Sequence, residues 1–383
     1  MPFPIPALSD LVLRARQAFR TYLPGSDAWL FPNNLGPTAK VFGGLIFEVF
    51  GFADYIQKQK FALTADGDNL ELHGAECKPP LQRKPAQPAT GNIVVTTQAA
   101  LTAGAAAQFQ RADGMLLVAR QSASIAGAGI LTIAVEAASG GQNTTTIADT
   151  ALTIFSGVTG AGAATATIAV DRNGLTGGLD IEPDGEPYSS DLATFRGRIL
   201  FNKRNPPFGG NPADYVQWCT SVIGVTRVFV ERLWNGPGTV RVFPLMDDLY
   251  GGAGGVPAAA DLQRVIDYLQ TVQPSDALVT VQAPVPVIVN VTVQGLEPST
   301  TATQEAVLAE LAATFRRKGR IAGNDNYFPS MPYLAHPTTF ALDWIAGAIN
   351  NAAGVHRAKV ILPNADIPQG SGQIPVLGTV TFM

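Results

Sequence analysis

Four carboxylates at alternate positions of one short segment are the residues best suited to chemistry. They are Asp180, Glu182, Asp184 and Glu186. Carboxylates that converge on a loop can bind calcium or act as an acid–base pair. The spacing does not match a calcium-binding hand, which needs glycine at the sixth loop position and a terminal glutamate. A solvated acidic linker before a helix explains the run as well, and so does ion pairing with Arg196 or Arg198.

Histidine and cysteine are too few to indicate a metal centre. His73 and Cys77 are four positions apart and would share one face of a helix as metal ligands. Two ligands do not hold a structural metal, and the prolines at 79 and 80 would end such a helix. We therefore predict no metal, and a local hydrogen-bonding role for His73.

Motifs for nucleotide binding and nucleophilic catalysis are absent from the sequence. The glycine-rich stretch 251–255 lacks the lysine and hydroxyl residue of a phosphate loop and the spacing of a dinucleotide fold. No serine lies in a G-x-S-x-G turn, and neither cysteine has a positioned histidine. The sequence predicts no catalytic residue, no cofactor and no enzymatic activity.

Charge is scarce and nearly balanced. Of 383 residues, 26 are Lys or Arg and 30 are Asp or Glu, so 15% are charged against about 25% in an average soluble domain. A net charge of -4 argues against nucleic acid as a partner, because binding phosphates needs a basic surface. The longest apolar stretch, 277–296, contains prolines and alternates like strands, which argues against membrane insertion. The charge deficit indicates a surface that is uncharged or meets protein.

Two amphipathic helices are predicted near the N-terminus. The first carries one apolar stripe and ends at Pro24-Gly25; its members are Leu8, Leu11, Val12, Ala15, Phe19 and Tyr22. The second runs from Thr38 to Phe61, roughly 36 Å. Its apolar stripe comprises Phe42, Leu45, Ile46, Val49, Ala53 and Ile56. Because Phe47 and Phe50 project off that stripe, one neighbouring helix cannot cover all the apolar surface.

Either the rest of this chain or another chain must cover the second helix. We predict that another chain does, and that the contact uses aromatic and aliphatic side chains of both helices. The predicted interface residues are Leu11, Phe19, Phe42, Phe47, Phe50 and Tyr55.

Short strands follow between residues 91 and 174. Their predicted ranges are 93–95, 115–119, 130–135, 151–155 and 166–170. Only seven residues of this segment are charged. Sheet edges that face solvent are usually protected by charges, so we predict a small antiparallel β domain packed among neighbours.

The remainder alternates helices and strands. Predicted helices are 189–203, 212–222, 258–271, 303–318 and 338–350, and predicted strands are 225–230, 239–243, 279–293, 355–362 and 376–382. This order indicates two split α+β modules. The predicted fold class is thus multidomain α+β, with an N-terminal helical arm (1–84), a β domain (85–175) and two modules (176–295 and 296–383).

The acidic segment also belongs to a longer pattern. Gly177 to Asp184 read GGLDIEPD, and FRGRI follows at 195–199. Further matching segments lie at 206–211, 214–218, 224–228 and 236–240. In order and spacing these segments resemble the baseplate J family of contractile phage tails, above all its Mu-like branch. The motif positions to which we assign structural roles are Gly178, Asp180, Glu182, Arg196, Trp218, Gly224, Gly236 and Gly238.

The resemblance implies a structural role in the virion. Members of this family are wedge subunits arranged in sixfold symmetry around a baseplate hub. Two copies usually join one copy of a second wedge protein through a helical bundle, and the C-terminal domains link wedges into a ring that widens on contraction. The implied partners are a second copy, another wedge protein, the hub and the sheath-initiating proteins. The implied location is the tail baseplate, assembled in the host cytoplasm.

Two other functions compete with this interpretation. A receptor- or glycan-binding tail module would fit the Thr- and Gly-rich β segment, but Phe109 and Phe155 are that segment's only aromatic residues. A cell-wall hydrolase would use Asp180, Glu182 or Glu186 as its acid and base.

Overall fold

A computed structural model describes residues 5–30 and 33–383 of the protein. Contacts divide the chain into two compact units. The first runs to His73 and includes Glu186–Ser189, and the second comprises Gly74–Gly185 and Ser190–Met383.

The helices in chain order are α1 Leu8–Tyr22, α2 Leu35–Gln59, α3 Gly67–Ala75, α4 Phe195–Arg204, α5 Pro212–Thr220, α6 Asp247–Tyr250, α7 Ala259–Val272, α8 Thr301–Lys318 and α9 Leu342–Asn351. The strands are β1 Thr90–Thr97, β2 Leu101–Arg111, β3 Leu116–Ala119, β4 Ala123–Ile125, β5 Gly129–Ala137, β6 Ala151–Thr159, β7 Thr167–Thr176, β8 Arg227–Arg232, β9 Thr239–Leu245, β10 Leu278–Val281, β11 Val285–Glu297, β12 Thr339–Phe340, β13 Arg357–Leu362, β14 Ile367–Pro368 and β15 Gln373–Phe382.

The first unit is built on a hairpin of α1 and α2. The helix α2 begins three residues before the predicted start at Thr38. Its first turn is fixed by Asn33, whose Oδ1 accepts hydrogen bonds from the N–H groups of Leu35 (3.0 Å) and Gly36 (3.1 Å). Pro37 is tolerated there because the first helical turn needs no partner for its N–H.

Small residues let α1 and α2 approach closely. The buried positions of α2 are Gly36, Ala39 and Gly43, and none carries a large side chain. A Cβ added at Gly43 would lie 2.6 Å from Cγ2 of Val12 and 3.1 Å from its backbone nitrogen. The centre of the contact face of α2 is therefore made of glycine and alanine, and of its predicted stripe of large apolar residues Phe42 reaches Phe19 of α1.

The β segment closes into a barrel. Its strands run in the order β3-β5-β1-β7-β6-β2, every pair is antiparallel, and β2 pairs back with β3. The strand β4 pairs antiparallel with residues 101–103 at the start of β2, and β3 pairs with residues 108–110 at its end. Side chains such as Ile93, Phe109 and Ile133 fill the interior.

Barrel closure removes the edge argument for the prediction that this domain packs among neighbours, and that packing stays a prediction. A closed sheet pairs its own edge strands, so few charges are needed to protect them. The sequence analysis also missed β2, because its Leu-Thr-Ala-Gly-Ala-Ala-Ala run is poor in the β-branched and aromatic residues typical of strands.

The remaining chain forms two small sheets with helices packed on them. In the first, β8 and β9 are antiparallel and β10 joins β9 in parallel. In the second, β11 pairs antiparallel with β13 and in parallel with β15. The helices α5 and α7 contribute to the core of the first sheet, and α8 and α9 to that of the second.

The strand β11 corrects the predicted boundary at residues 295 and 296. The sequence joined residues 279–293 into one strand of the first module. In the structure the segment breaks after β10, and Val285–Glu297 pairs with β13 and β15. The second sheet therefore takes its central strand from the segment assigned to the first module.

Helix starts follow local capping. The helix α4 begins at Phe195, six residues after the predicted Ser189, because the Thr194 hydroxyl accepts the N–H of Gly197 at 3.2 Å. The helix α8 begins after Thr300, which forms a capping box with Thr303. In residues 5–30 and 33–383, no helix is long and apolar enough to cross a membrane.

Candidate assembly interface

A row of large apolar side chains on α2 faces solvent. Val41, Leu45, Val49, Phe52 and Ile56 recur at spacings of four, four, three and four residues and are all exposed. At 3.6 residues per turn they lie on the side of α2 opposite Gly36, Ala39 and Gly43. Val49 is 67% exposed and Phe52 is 64% exposed. We call these five residues the outer stripe.

The outer stripe exists because α1 packs on the opposite side of α2. The sequence predicted one apolar stripe that includes Leu45, Val49 and Ile56, with Phe47 and Phe50 off it. In the structure the small-residue face makes the contact with α1. The large residues remain available for a partner.

The predicted interface residues occupy different environments. Leu11 is only 6% exposed and lies inside the hairpin, so its prediction as a partner contact is corrected to a packing role. Phe19 is half-buried, with its ring centroid 6.4 Å from that of Phe42. Phe42, Phe47 and Tyr55 are exposed, and Phe50 is half-buried. Partner contact by these last residues stays a prediction.

The acidic segment forms internal contacts around Glu182. The Glu182 side chain is almost fully buried, and its Oε2 accepts from Nη1 of Arg198 at 2.7 Å and from the N–H of Lys84 at 3.0 Å. The Glu182 carbonyl oxygen accepts from Nη1 of Arg83 at 2.6 Å. Of the alternatives from the sequence, the ion pair is correct at this residue, and the solvated linker is not.

Asp180 and Gly178 fasten the same segment to the barrel. Asp180 Oδ1 accepts from the N–H of Gln142 at 2.8 Å. A Cβ on Gly178 would lie 2.5 Å from both the Gly141 carbonyl oxygen and the Thr144 hydroxyl, so only glycine fits there. These contacts give the glycine and the aspartate of this turn a structural role that requires no bound ligand.

Arg196 and its neighbours join the segment to α4. The guanidinium of Arg83 pairs with Asp184 at 2.5 Å and lies 5.0 Å from the centre of the Phe195 ring. Arg196 is buried, and its Nε donates to the carbonyl oxygen of Gly185 at 3.3 Å. These contacts hold the start of α4 against the acidic segment.

Lys84 places a second cation next to the ion pair of Glu182 and Arg198. Its Nζ donates to the carbonyl oxygen of Val225 at 2.8 Å. Part of the Lys84 side chain reaches solvent, but burial of its ammonium end lowers its pKa to about 8, an effect that Glu182 opposes and Arg198 reinforces. The charged groups of Lys84, Glu182 and Arg198 therefore lie close together inside the protein.

The other motif positions serve the fold. Trp218 is partly buried in the core of the first sheet, with its ring edge-on to Tyr215 at 5.1 Å. Gly224, Gly236 and Gly238 all have positive φ (89°, 98° and 79°). A side chain at Gly224 would also press on Leu249, whose Cδ1 lies 2.9 Å from an added Cβ.

Metal ligands do not converge in the described part of the chain. No group of three or more His, Cys, Asp or Glu residues that could hold an ion occurs within residues 5–30 and 33–383. His73 Nε2 lies 3.1 Å from the Gln59 carbonyl oxygen. Cys77 follows the end of α3, and burial raises the pKa of its thiol.

Known proteins include relatives of this chain. The family model of the baseplate J-like central domain matches residues 207–283. Over 326 residues the chain is 32% identical to baseplate protein gp47 of Escherichia phage Mu, a match that covers 82% of this chain and 85% of that protein. The chain belongs to the baseplate J family of Mu-like phages.

Further relatives extend the family match. The Mu-like prophage FluMu protein gp47 of Haemophilus influenzae is 28% identical over 393 residues and covers both chains completely. A chain in the solved baseplate of the anti-feeding prophage (AFP) aligns over 98% of this baseplate J protein and 99% of its own length, at 10% identity and a TM-score of 0.41. Those values do not establish a common fold.

Membership in the baseplate J family assigns the chain a structural place in the phage tail baseplate. The sequence analysis identified this family from the segment at 177–240, and that prediction is confirmed. It did not find Lys84 or Arg83 as partners of the acidic segment, because nearly one hundred residues separate them along the chain.

Proposed function

We propose that this baseplate J protein is a wedge subunit of a contractile tail. In this role it links the baseplate hub, the start of the sheath and neighbouring wedges into a ring that rearranges on contraction. It has no enzymatic activity, and its partners are other proteins of the baseplate. The hairpin of α1 and α2 enters a helical bundle formed with a second copy and another wedge protein.

The outer stripe of α2 is the observation that carries this proposal. Five large apolar side chains in helical register make a continuous surface, whereas single exposed apolar residues are common on any protein. The spacing of three and four residues suits packing against another helix, as in a bundle. Permanent interfaces resemble a divided hydrophobic core, and the outer stripe has that composition.

The buried charges support a structural role over a catalytic one. A general acid must reach substrate, but Glu182 is buried and paired with Arg198. Asp180 accepts a backbone N–H of the barrel. These carboxylates are engaged in positioning the barrel, the first sheet and α4, which suits modules that transmit movement as rigid bodies.

The second candidate, a glycan-binding tail module, has little support in the barrel. Glycan sites commonly present exposed aromatic rings. Of the barrel segment's two aromatic residues, Phe109 is in the core and Phe155 is exposed. One exposed ring leaves the bundle as the function that the surface supports best.

Replacing Val49 by aspartate tests the bundle directly. The chain is co-expressed with the other baseplate proteins of its phage, and complex yield is measured by size-exclusion chromatography and native mass spectrometry. We expect Val49→Asp to lower the yield at least about tenfold, since it places a charge in an apolar contact. Phe47→Asp should have a smaller effect, because at 3.6 residues per turn Phe47 lies on the side of α2 away from the outer stripe.

Ile147→Asp is the matched control, because Ile147 is an equally apolar, exposed residue of the barrel segment. It should leave the yield unchanged, and circular dichroism should show intact helices in all variants. Wild-type yield from Val49→Asp would refute the bundle. If Val49→Asp lowers the yield, a Val49→Cys variant identifies the partner chain by cross-linking, because the two natural cysteines are buried.

A further inference from the structure

A cleft of about 680 Å³ opens at one end of the first sheet. Its walls come from β8 and β9, from the turn before α5, from the segment before β10 and from residues 324–326. The volume is in the range of sites that hold small ligands or short peptide segments. None of the contacts described above for the acidic segment uses this cleft.

The charges in the cleft are unequally compensated. Arg232 pairs with Asp325 through Nε (2.8 Å) and Nη2 (2.7 Å). Burial raises the pKa of Asp325, but the hydrogen bonds and charge of Arg232 outweigh it, and the net shift is downward. Arg232 and Asp325 thus neutralise each other at neutral pH. Asp276, also in the wall, is exposed and has no ion pair within the described residues.

A second uncompensated carboxylate lies behind the wall. Asp214 is fully buried, and its oxygens accept from the backbone N–H groups of Phe208 (3.1 Å), Gly210 (2.7 Å) and Asn211 (3.1 Å) rather than from a cation. After burial itself, the negative charges of Asp214 and Asp276 raise the pKa of Tyr215, a wall residue. The cleft is therefore negative and fits a cation.

Two large apolar side chains are exposed in or next to the cleft wall. Phe208 is 76% exposed, next to the wall glycines 209 and 210, and Leu233 in the wall is also exposed. Exposed large apolar side chains that lie together mark surfaces that contact other proteins. A small hydrophilic ligand would leave these side chains in contact with water.

We propose that this cleft binds a segment of another virion protein that presents one arginine or lysine flanked by apolar residues. The cation pairs with Asp276, and the flanking residues pack on Phe208 and Leu233. The site is separate from the outer stripe and does not depend on the helical bundle. A sugar suits the cleft less, because the Arg241 guanidinium lies 4.9 Å from the centre of the Trp234 ring and already occupies one stacking face.

Synthetic peptides provide the probe. Overlapping 15-residue peptides that cover the other structural proteins of the same virion are tested against the full purified chain by fluorescence anisotropy. We expect binding by a peptide with an essential basic residue. Replacing its arginine by neutral citrulline, or its lysine by norleucine, should weaken binding by about tenfold, as should Asp276→Asn in the protein. Added salt should weaken it too.

Two matched controls separate this site from others. Asp267→Asn removes the same charge from an exposed position on α7 and should bind the peptide normally. Val49→Asp, which breaks the proposed bundle, should also bind the peptide normally. The experiment therefore distinguishes failure of the peptide site from failure of the bundle.

Several results would overturn the proposal. These are binding of no peptide, equal binding by Asp276→Asn, or tolerance of the neutral replacement. If Asp276→Asn abolished self-association of the chain, the occupant would be a second copy rather than another protein. Binding of a glycan array that is lost in Asp276→Asn would assign the cleft to sugars.

Discussion

The hairpin and the barrel are both apolar and poor in charge, yet they solve the problem of exposed surface differently. In the barrel, β2 returns to pair with β3, so every strand of the ring has two neighbours and side chains such as Ile93 and Ile133 point into a common core. In the hairpin, two helices meet along glycine and alanine, and Val49 and Phe52 remain exposed.

The difference shows when an apolar composition indicates a partner. A sheet of six strands can close on itself and satisfy its own edges. A helix that is apolar on opposite sides cannot be covered by one neighbour. Charge deficit alone therefore does not distinguish a self-contained domain from an unfinished one, whereas the geometry of the element does.

The largest effect should come from opening the barrel core. Phe109 is buried at the centre of this core, and Phe109→Ala removes a ring that cannot be replaced by relaxation of a closed sheet. We expect a loss of about 3–5 kcal/mol in the free energy of unfolding of the barrel. Urea unfolding followed by hydrogen exchange of barrel amides measures it.

The matched change Phe155→Ala removes an exposed ring of the same domain. It should cost less than about 0.5 kcal/mol. Comparable losses from the two variants would show that the barrel does not hold a core of its own, and the comparison with the hairpin would fail.

A smaller effect should follow from separating the hairpin. In Gly43→Ala the new methyl would stand 2.6 Å from Val12 Cγ2, so α1 must move away. We expect a loss of about 1–3 kcal/mol from overpacking, reduced by alanine's better helix propensity. Hydrogen exchange of the α1 amides should accelerate accordingly.

The neighbouring glycine supplies the control. A Cβ at Gly44 would meet no atom within 4 Å. Gly44→Ala should therefore stabilise α2 by about 1 kcal/mol through helix propensity alone. If both variants slowed exchange equally, the small-residue face would not be the contact between α1 and α2.

The periodicity of the sequence predicted most elements but not which face packs. For α2, helical spacing identified Leu45, Val49 and Ile56 as one stripe, yet it contained no information that Gly43 would meet Val12. Two helices pack closely where one of them carries no side chain, and a hydrophobic pattern records only the side chains that are present. Leu11 was assigned to a partner for the same reason.

The acidic segment shows a second limit of sequence reasoning. The family pattern pointed to Glu182, and the arginine at 198 was within local reach. Arg83 and Lys84 precede β1, while Glu182 follows β7, so their proximity results from the pairing of the first and last strands of the barrel. The strand pattern of the sequence did not predict that β1 and β7 would be neighbours.

Charge marks a further contrast between the two regions. The ion pair of Lys58 and Asp54 on α2 is exposed, at 2.8 Å, and such pairs contribute little to stability. Glu182 and Arg198 pair inside the second unit, and Lys84 lies beside them. Charges in this buried group must be compensated within the chain, so its stability should depend on pH.

The smallest predicted effect concerns the titration of Lys84. Its pKa is about 8 in the folded chain and near 10.5 when unfolded, so between these values the unfolded chain binds the additional proton. Stability due to this group should therefore rise as pH increases from 7.5 to 9.5. Because part of Lys84 reaches solvent, we expect a rise of about 1 kcal/mol.

The measurement compares the wild type with Lys84→Met at each pH. Burial raises the pKa of the Cys77 and Cys219 thiols, which makes stability fall as the unfolded chain loses those protons near pH 9. That loss is common to both proteins and cancels in the difference. Across this pH range, urea unfolding should show the free energy of unfolding of the wild type rising relative to that of the variant. A constant difference would mean that the ammonium group of Lys84 remains hydrated in the folded chain.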